Sequence, residues 1–368
     1  MTQPASHATM ALALVLAHLA FSSDLTRVFS AGDAGVTCYR IPAIVQTEHG
    51  TLIAFAEARI SSCNDHDTVH IAARRSVDGG NSWGEITFIA GNASARVGNP
   101  TAVFDAARGR TVLVLTFLPY FQRSGYVTSD DEGLTWSAPR VADGFGPAAG
   151  SLTGPGTALV SRTGRILVAS HHGGYDRDFV SWSDDGGESW TTSNATLGPK
   201  MDEAALAQLS NGSILIAMRH KALPRLGRAL ATSDDDGATW TSPITYDSAL
   251  KGDVCQGSLV SFGGVVYLAS PACRPTCANR ANLTLFSSAD DAATWQTERV
   301  ISSPGSAGYS CLVTGALLRN GAGDAPGEAD EATVPEGGVL FEGPGPAGAV
   351  LPPHIEFARF PLRARGGG

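Results

Sequence analysis

Three arginines stand where segments predicted to be β-strands begin or end, and together they could bind a carboxylate. They are Arg40 in YRIP, Arg219 in MRH and Arg280 in NRAN. A guanidinium keeps its charge when desolvated and offers paired N–H donors that match a carboxylate. A single arginine beside a strand is most often a surface residue. The predicted chemistry therefore depends on a fold that brings the three side chains to one place.

A recurring octapeptide, Ser-x-Asp-x-Gly-x-Thr/Ser-Trp, predicts that fold. Its copies start roughly 50 residues apart, a period typical of β-propeller blades. They are Ser76–Trp83, Ser129–Trp136, Ser183–Trp190, Ser233–Trp240 and a fifth, Ser288–Trp295, with Ala292 in place of Gly.

Each copy, called an Asp box below, has the composition of a hairpin turn. The Asp can accept backbone N–H groups, the Gly permits a positive φ, and the Trp can pack between neighbouring sheets. We interpret the boxes as scaffold. A Ca²⁺ loop is the competing interpretation, but the boxes lack the spaced oxygen ligands and closing Glu of an EF-hand.

The chain beyond the fifth box is long enough for one more blade. Segments 310–318, 338–342 and 354–362 supply three strands, and residues 25–30 can close the ring as its outer strand. The remaining blades follow from short β runs between Gly turns, including an innermost strand at 157–161 for blade three. We predict a six-bladed β-propeller over residues 24–365, with a Gly-, Ala- and acid-rich surface insertion at 320–335.

The charge of the chain makes one class of partner unfavourable. The net charge of −9 and the lack of a basic run argue against a nucleic-acid partner.

The apolar run 11–21 is too short to span a bilayer but suits a signal peptide. We therefore expect residues 1–23 to be a signal peptide or N-terminal extension, a buried first strand being the alternative.

Cysteines and glycosylation sequons agree with a secretory route. Spacing leaves the pairing of the six cysteines open, although Cys273 and Cys277 could close a small disulfide. No second Cys or His pair stands at zinc-ligand spacing, so we expect no metal and no cofactor. The sequons are at Asn92, Asn194, Asn211 and Asn282.

With these motifs in place, the chain resembles the exo-α-sialidase (neuraminidase) family and is most similar to its lysosomal type. The resemblance runs from about Tyr39 to Leu362. It is carried by YRIP (39–42), GTLIAFAEAR (50–59), RISSCNDHD (59–67), IAARRSVDGGNSW (71–83), MDEAALAQLSNGSILIAMRH (201–220), NRANLTL (279–285), GYS (308–310) and VLFE (339–342).

The resemblance implies roles for particular residues. Arg40, Arg219 and Arg280 match the three arginines that bind the sialic acid carboxylate. Tyr309 matches the nucleophile and Glu203 the carboxylate that takes its proton, a departure from the usual two-carboxylate scheme. An anionic nucleophile would be repelled by the carboxylate on carbon 2 of the substrate, whereas a neutral phenol is not.

Further positions follow from the same resemblance. Asp65 is implied as the acid/base, with Asp67 its rival on the same loop. Arg59 and Asn99 are implied near the ring hydroxyls or the N-acetyl group, and Glu342 as the carboxylate that orients Arg40.

Other charged and titratable residues have simpler interpretations. We expect Arg228 to be an exposed strand-edge charge, and His171 and His172 either to line the cleft or to form a loop pair.

The resemblance implies a retaining exo-α-sialidase that acts on terminal sialic acids of glycoproteins, glycolipids and oligosaccharides. The alternatives are a sialic-acid-binding propeller lectin without catalysis and a trans-sialidase. Similarity to lysosomal members also implies a lysosomal or secreted location and a protective or chaperone protein as partner.

Overall fold

The computed structural model describes residues 25–92, 96–118, 123–147, 150–222, 226–241, 244–252, 254–272, 280–306, 308–315, 335–343 and 354–365. Three predictions concern residues outside these ranges: the N-terminal segment 1–23, the insertion 320–335 except its last residue, and the loop with Cys273 and Cys277. In the described part of the chain, no helix is long and apolar enough to cross a membrane.

The fold is a six-bladed β-propeller, as the repeat predicted. The chain enters through β1 (Thr26–Ser30) and a 3-10 helix (Asp33–Gly35). Blade 1 contains β2 (Cys38–Gln46), β3 (Leu52–Arg59), β4 (Val69–Ser76) and β5 (Thr87–Ala90). Blade 2 contains β6 (Arg96–Asp105), β7 (Arg110–Leu118), β8 (Arg123–Ser129) and β9 (Arg140–Val141).

The next two blades follow the same meander. Blade 3 contains β10 (Ser151–Thr153), β12 (Leu159–Val160), β13 (Ile166–His172), β14 (Asp178–Ser183) and β15 (Thr191–Thr192), while β11 (Gly156–Thr157) joins blade 2. Blade 4 contains β16 (Met201–Gln208), β17 (Ile214–His220), β18 (Arg228–Ser233) and β19 (Thr245–Asp247).

A second 3-10 helix (Ser248–Leu250) leads to the last two blades. Blade 5 contains β20 (Ser258–Phe262), β21 (Val265–Pro271), β22 (Ala281–Ser288) and β23 (Gln296–Ser306). Blade 6 contains β24 (Ser310–Thr314), β25 (Glu336–Glu342) and β26 (His354–Pro361) from the end of the chain, plus β1 from its beginning.

The two ends of the chain close the ring, as predicted. Strand β1 pairs antiparallel with β26, Thr26 lying opposite Phe357 and Ser30 opposite His354. The start of the chain is thereby fastened to the last blade by backbone hydrogen bonds, which removes two free strand edges.

Blade 3 departs from the prediction of a continuous innermost strand at 157–161. Strand β11 pairs in parallel with β6 of blade 2, and only β12 joins β13 of its own blade. The cause lies in Gly154-Pro155-Gly156. Gly156 has φ +119°, Pro155 lacks an N–H for a ladder, and a Cβ at position 154 would overlap the carbonyl oxygen of Ala204.

The Asp boxes form the predicted turns. In the second box Ser129 Oγ donates to Asp131 Oδ1 and accepts the Gly133 N–H at 2.8 Å, while the Thr135 N–H donates to the same Asp oxygen at 2.9 Å. The pattern repeats in the other four boxes. The box carboxylates are thus occupied by their own turns, which supports the scaffold interpretation.

The box tryptophans pack against the preceding blade, as expected. Trp136 of blade 2 contacts Phe55 of blade 1 edge-to-face with ring centroids 5.5 Å apart. Trp83 of blade 1 contacts Phe357 of blade 6 at 5.7 Å. The repeat therefore also provides the contacts between blades, and these hold the inner strands in fixed relative positions.

Candidate active site

Bulges lie at the start of three innermost strands that carry predicted site residues. The ladders of β2, β6 and β16 each shift register within their first few residues. The bulges contain Ile41, Asn99 and Glu203, which have positive φ values of 56°, 51° and 45°. Non-glycine residues in this region carry strain and occur most often beside functional sites. These bulges place predicted site residues from blades 1, 2 and 4 at one mouth of the ring.

The Glu342 carboxylate holds Arg40 in place through hydrogen bonds. Arg40 Nε and Nη2 donate to its two carboxylate oxygens at 3.0 and 3.3 Å, and the backbone N–H groups of Ile41 and Tyr309 donate to it at 3.0 Å each. The carboxylate is fully buried. Gly308 is needed here because a Cβ at that position would overlap the Glu342 carboxylate. Blades 1 and 6 therefore meet at this one buried anion.

Tyr309, Glu203 and Arg219 form one hydrogen-bonded group. Tyr309 Oη donates to Glu203 Oε1, Arg219 Nη1 donates to Glu203 Oε2, and the same Nη1 lies 3.4 Å from Tyr309 Oη. Burial raises the pKa of Tyr309 well above its usual range, and the Glu203 charge raises it further. Burial opposes ionisation of Glu203, but Arg219 and the tyrosine hydroxyl hold the pKa of Glu203 below its usual value. Glu203 is therefore an ionised base placed on a neutral phenol.

The other two arginines lie against the ring of Tyr309. The guanidinium carbon of Arg40 is 5.4 Å from the ring centroid and that of Arg280 is 5.6 Å away, both within cation–π range. Because Arg219 approaches the hydroxyl of the same tyrosine, the structure brings the three predicted arginines together around Tyr309. An anion entering this space meets three cations from blades 1, 4 and 5.

Asp65 lies on the loop after β3, beside two of the site arginines. Arg59 Nη1 donates to Asp65 Oδ1 at 2.7 Å and to the Cys63 carbonyl at 2.7 Å, and Arg40 Nη1 reaches the same Asp65 oxygen at 3.4 Å. A Cys38–Cys63 disulfide ties the loop to the start of β2. The Asp65 side chain is 73% exposed, so its carboxylate is open to incoming molecules.

The rival Asp67 has a different environment. Its carboxylate accepts the backbone N–H groups of Ser61, Ser62 and Thr68 at 2.7, 2.5 and 2.7 Å. Slight burial works against ionisation, but these N–H groups lower the pKa of Asp67. Asp67 thus shapes the loop that carries Asp65.

Glu57 is a site residue that the sequence motifs did not single out. Its Oε2 accepts Arg59 Nε and Nη2 at 3.0 and 2.7 Å, and its Oε1 accepts the Asn99 N–H at 2.8 Å. The signal present in the sequence was a carboxylate inside the apolar strand LIAFAEAR, two residues before Arg59 and so on the same face. The Asn99 side chain donates to the Thr153 carbonyl at 3.0 Å, which joins blade 2 to blade 3 beside the site.

Two residues that flank the site, Arg228 and His171, are buried. Arg228 is not an exposed strand-edge charge. It is buried, its Nη2 donates to the Cys255 carbonyl and to Ser270 Oγ at 2.8 Å each, and burial lowers its pKa to about 10. His171 is buried on β13, where burial lowers its pKa to about 4. In the described ranges, no group of three or more His, Cys, Asp or Glu residues could hold a metal ion.

The comparison with protein families defines the class. The family model described as BNR repeat-like domain matches residues 50–316. A sialidase of Micromonospora viridifaciens is 30% identical over an alignment of 325 residues that covers 76% of this chain and 48% of that protein. The chain thus spans about half the length of that relative.

Solved structures show the same fold. The Hadza microbial sialidase Hz136 has a TM-score of 0.74 at 23% identity, and the match covers 90% of this chain and 67% of that one. The intramolecular trans-sialidase from Ruminococcus gnavus, in complex with oseltamivir carboxylate, has a TM-score of 0.73 at 17% identity, covering 92% and 97%. With the family match, these similarities place the fold among the sialidase propellers. This chain belongs to the BNR-repeat sialidase family.

Proposed function

We propose that the protein is an exo-α-sialidase that removes terminal sialic acids from glycoproteins, glycolipids and oligosaccharides with retention of configuration. One observation carries the proposal. A buried tyrosine hydroxyl donates to an ionised, buried glutamate inside a ring of three arginines. A binding protein would need the arginines but not a base on the tyrosine.

The arginines account for the choice of substrate. Arg40, Arg219 and Arg280 would bind the carboxylate on carbon 2 of sialic acid, holding that carbon over Tyr309. The net charge of the chain is −9, so the overall field does not attract an anion and recognition depends on these local cations.

The first half of the reaction uses the hydrogen bond already present. The Tyr309 oxygen attacks carbon 2 as its proton passes to Glu203 Oε1, and the bond from carbon 2 to the glycosidic oxygen breaks. Asp65 in its protonated form gives its proton to the departing oxygen. Because the pKa of Tyr309 is raised, the phenol depends on Glu203 for activation.

The second half reverses these roles. Asp65, now ionised, takes a proton from water as the water oxygen attacks carbon 2, and the bond from carbon 2 to Tyr309 breaks. The tyrosine oxygen recovers its proton from Glu203. Exposure of Asp65 suits this exchange between aglycone and water, since both must reach the same carboxylate.

A sugar hydroxyl could replace water in the second half, which would make the protein a trans-sialidase. Hydrolysis and transfer share the tyrosine intermediate and differ in the acceptor, so only the product distinguishes them. Free sialic acid from 3′-sialyllactose supports hydrolysis, and a new sialoside or an anhydro sugar supports transfer.

Turnover of 4-methylumbelliferyl-α-N-acetylneuraminic acid from about pH 4 to 8 tests the proposal, with Tyr309→Phe as the paired variant. We expect the parent to release the fluorophore and the variant to lose most turnover while remaining folded. A folded parent that binds sialic acid without turnover would indicate the lectin instead.

We also propose that the protein enters the secretory route, in a lysosomal or secreted location. The Cys38–Cys63 disulfide supports this proposal, because such bonds persist in oxidising compartments. Endoglycosidase-sensitive mobility of the protein expressed in a eukaryotic host tests it, and an unglycosylated, reduced product would oppose it.

A further inference from the structure

Two buried carboxyl groups lie in strands of blades 3 and 4, outside the hydrogen-bonded group of Tyr309, Glu203 and Arg219. Asp178 begins β14 of blade 3 and Asp202 lies in β16 of blade 4, and the two residues are 0% and 1% exposed. None of their four carboxyl oxygens has a hydrogen-bond partner among the described residues. A buried carboxylate without hydrogen bonds is costly to ionise, so this pair requires a physical explanation.

Asp202 faces the arginine clamp directly. Its Oδ1 lies 3.4 Å from Arg219 Nε, whereas Glu203 accepts from Nη1 of the same guanidinium. Its Oδ2 lies 3.4 Å from Lys221 Nζ. Arg219 is therefore shared by two acidic residues that are adjacent in sequence. The charge on Asp202 opposes the positive field that Arg219 presents to the site.

Several other titratable groups surround Asp202. Burial lowers the pKa of His171 in β13 to about 4, which favours its neutral form. Lys221 is partly exposed and lies over the Tyr175 ring at 4.4 Å. The titratable and charged groups that interact with Asp202 from its own and neighbouring elements are Glu203, Arg219, Lys221, Asp178, Tyr175 and Arg228. His171 lies one step further away, with its ring 4.9 Å from the ring of Tyr175.

We propose that Asp202 is a positioning residue for Arg219 whose ionisation weakens the binding of the substrate carboxylate, so that the clamp binds most tightly in acid. This inference rests on the proposed function, because it assumes that Arg219 binds that carboxylate. It goes beyond that function by locating a pH-dependent element behind the clamp.

The electrostatics of the pair agree with this geometry. Burial raises the pKa of Asp202 to about 6 and the neighbouring Glu203 adds to this, while Arg219 and Lys221 oppose it. Burial, with Asp202 and Glu203, raises the pKa of Asp178 well above its usual range. Burial therefore favours the neutral form of Asp178, and a pKa of about 6 places the change in charge of Asp202 inside the range from mildly acid to neutral pH.

Ionisation of Asp202 changes the affinity for the ligand carboxylate in a definite direction. Below the pKa of Asp202 the group is neutral, and Arg219 presents its full charge to an incoming carboxylate. Above that pKa, the new negative charge lies 3.4 Å from the guanidinium and repels the ligand anion. By reciprocity, a bound carboxylate raises the pKa of Asp202.

The test is the dissociation constant of 2-deoxy-2,3-didehydro-N-acetylneuraminic acid, measured by calorimetry from about pH 5 to 7.5. Its carboxylate stays ionised throughout, so a change in affinity reports on the protein. We expect Kd of the parent to rise about tenfold across this range. In Asp202→Asn the rise should disappear.

Two further variants separate this role from a structural one. Asp178→Asn is the matched control, because it replaces an equally buried carboxyl group whose neutral form is favoured by burial, and its profile should follow the parent. Lys221→Gln removes a cation that favours ionised Asp202, so the rise in Kd should move to higher pH. This residue is partly exposed, so the variant is suitable even if Asp202→Asn does not fold.

The outcomes separate the two proposals. A pH-independent Kd in a parent that binds the analogue, an unchanged slope in Asp202→Asn, or an unmoved rise in Lys221→Gln would overturn the role of Asp202 and leave the sialidase proposal standing. No binding by the folded parent at any pH would defeat both.

Discussion

Replacing Glu342 by Gln should cost far more stability than the same change at an arginine pair on the surface. The Glu342 carboxylate accepts four donors: two from Arg40 and the backbone N–H groups of Ile41 and Tyr309. It is fully buried, and Arg40 is 5% exposed. The change leaves that guanidinium buried without the anion that faces two of its nitrogens.

The magnitude follows from burial. Breaking a buried ion pair by neutralising one partner costs about 3–5 kcal/mol, because the remaining charge is uncompensated. The Gln side chain also turns one acceptor into a donor, which would face either the Arg40 guanidinium or a backbone N–H. These losses share one site and do not add, so we expect the free energy of unfolding to fall by about 3–5 kcal/mol.

Unfolding in guanidinium chloride, followed by tryptophan fluorescence, measures the loss of stability in Glu342→Gln. Glu188→Gln is the matched control. Glu188 also pairs with two arginines, Arg110 and Arg140, but on the surface, with 45% of its side chain exposed. Exposed pairs contribute little, so the control should unfold almost where the parent does. If the unfolding midpoints of both variants shifted equally, with the denaturant dependence (m value) unchanged, burial would not be the reason that the Arg40–Glu342 pair stabilises the fold.

Changes at the catalytic loop and in two Asp boxes also have definite expected results. With 3′-sialyllactose, whose leaving group needs protonation, Asp65→Asn should lower kcat/KM by about 10²–10⁴-fold, while Asp67→Asn keeps most activity; equal losses would contradict the assignment. Ala292→Gly should raise the free energy of unfolding by about 1 kcal/mol, because Ala292 holds a left-handed φ of 69°. The opposite change Gly80→Ala should destabilise, since its Cβ would overlap the Phe357 ring. Denaturant midpoints measure both, and a lower midpoint for Ala292→Gly would show that the conformation carries no strain.

The propeller could be predicted because the Ser and Asp of each Asp box form a turn within the box, with Gly or, in the fifth box, Ala292 at the position with positive φ. The turn in the second box depends on contacts within Ser129–Trp136, and such local requirements are readable from spacing. Closure of the ring by residues 25–30 followed from counting strands. The broken inner strand of blade 3 was not predicted, because an apolar run does not show which neighbouring sheet its backbone will join.

The site was predictable where the sequence matches motifs of a known family. A resemblance to known motifs singled out Arg40, Glu203 and Tyr309, and the structure brings their side chains together. Glu57 and Arg228 were missed or misjudged because both are charged residues whose burial depends on partners distant in sequence, namely Asn99 and Cys255. The Cys38–Cys63 bond was likewise not assignable from spacing.

Trapping the covalent intermediate tests the tyrosine nucleophile most directly. The protein would be incubated with 2,3-difluoro-N-acetylneuraminic acid, in which the fluorine on carbon 3 slows hydrolysis of the sialyl–enzyme, and digested for peptide mass mapping. We expect one sialyl adduct, on Tyr309, that is absent from Tyr309→Phe. An adduct on Asp65 or Glu203, or turnover of the natural substrate with no adduct under any condition, would contradict the tyrosine nucleophile.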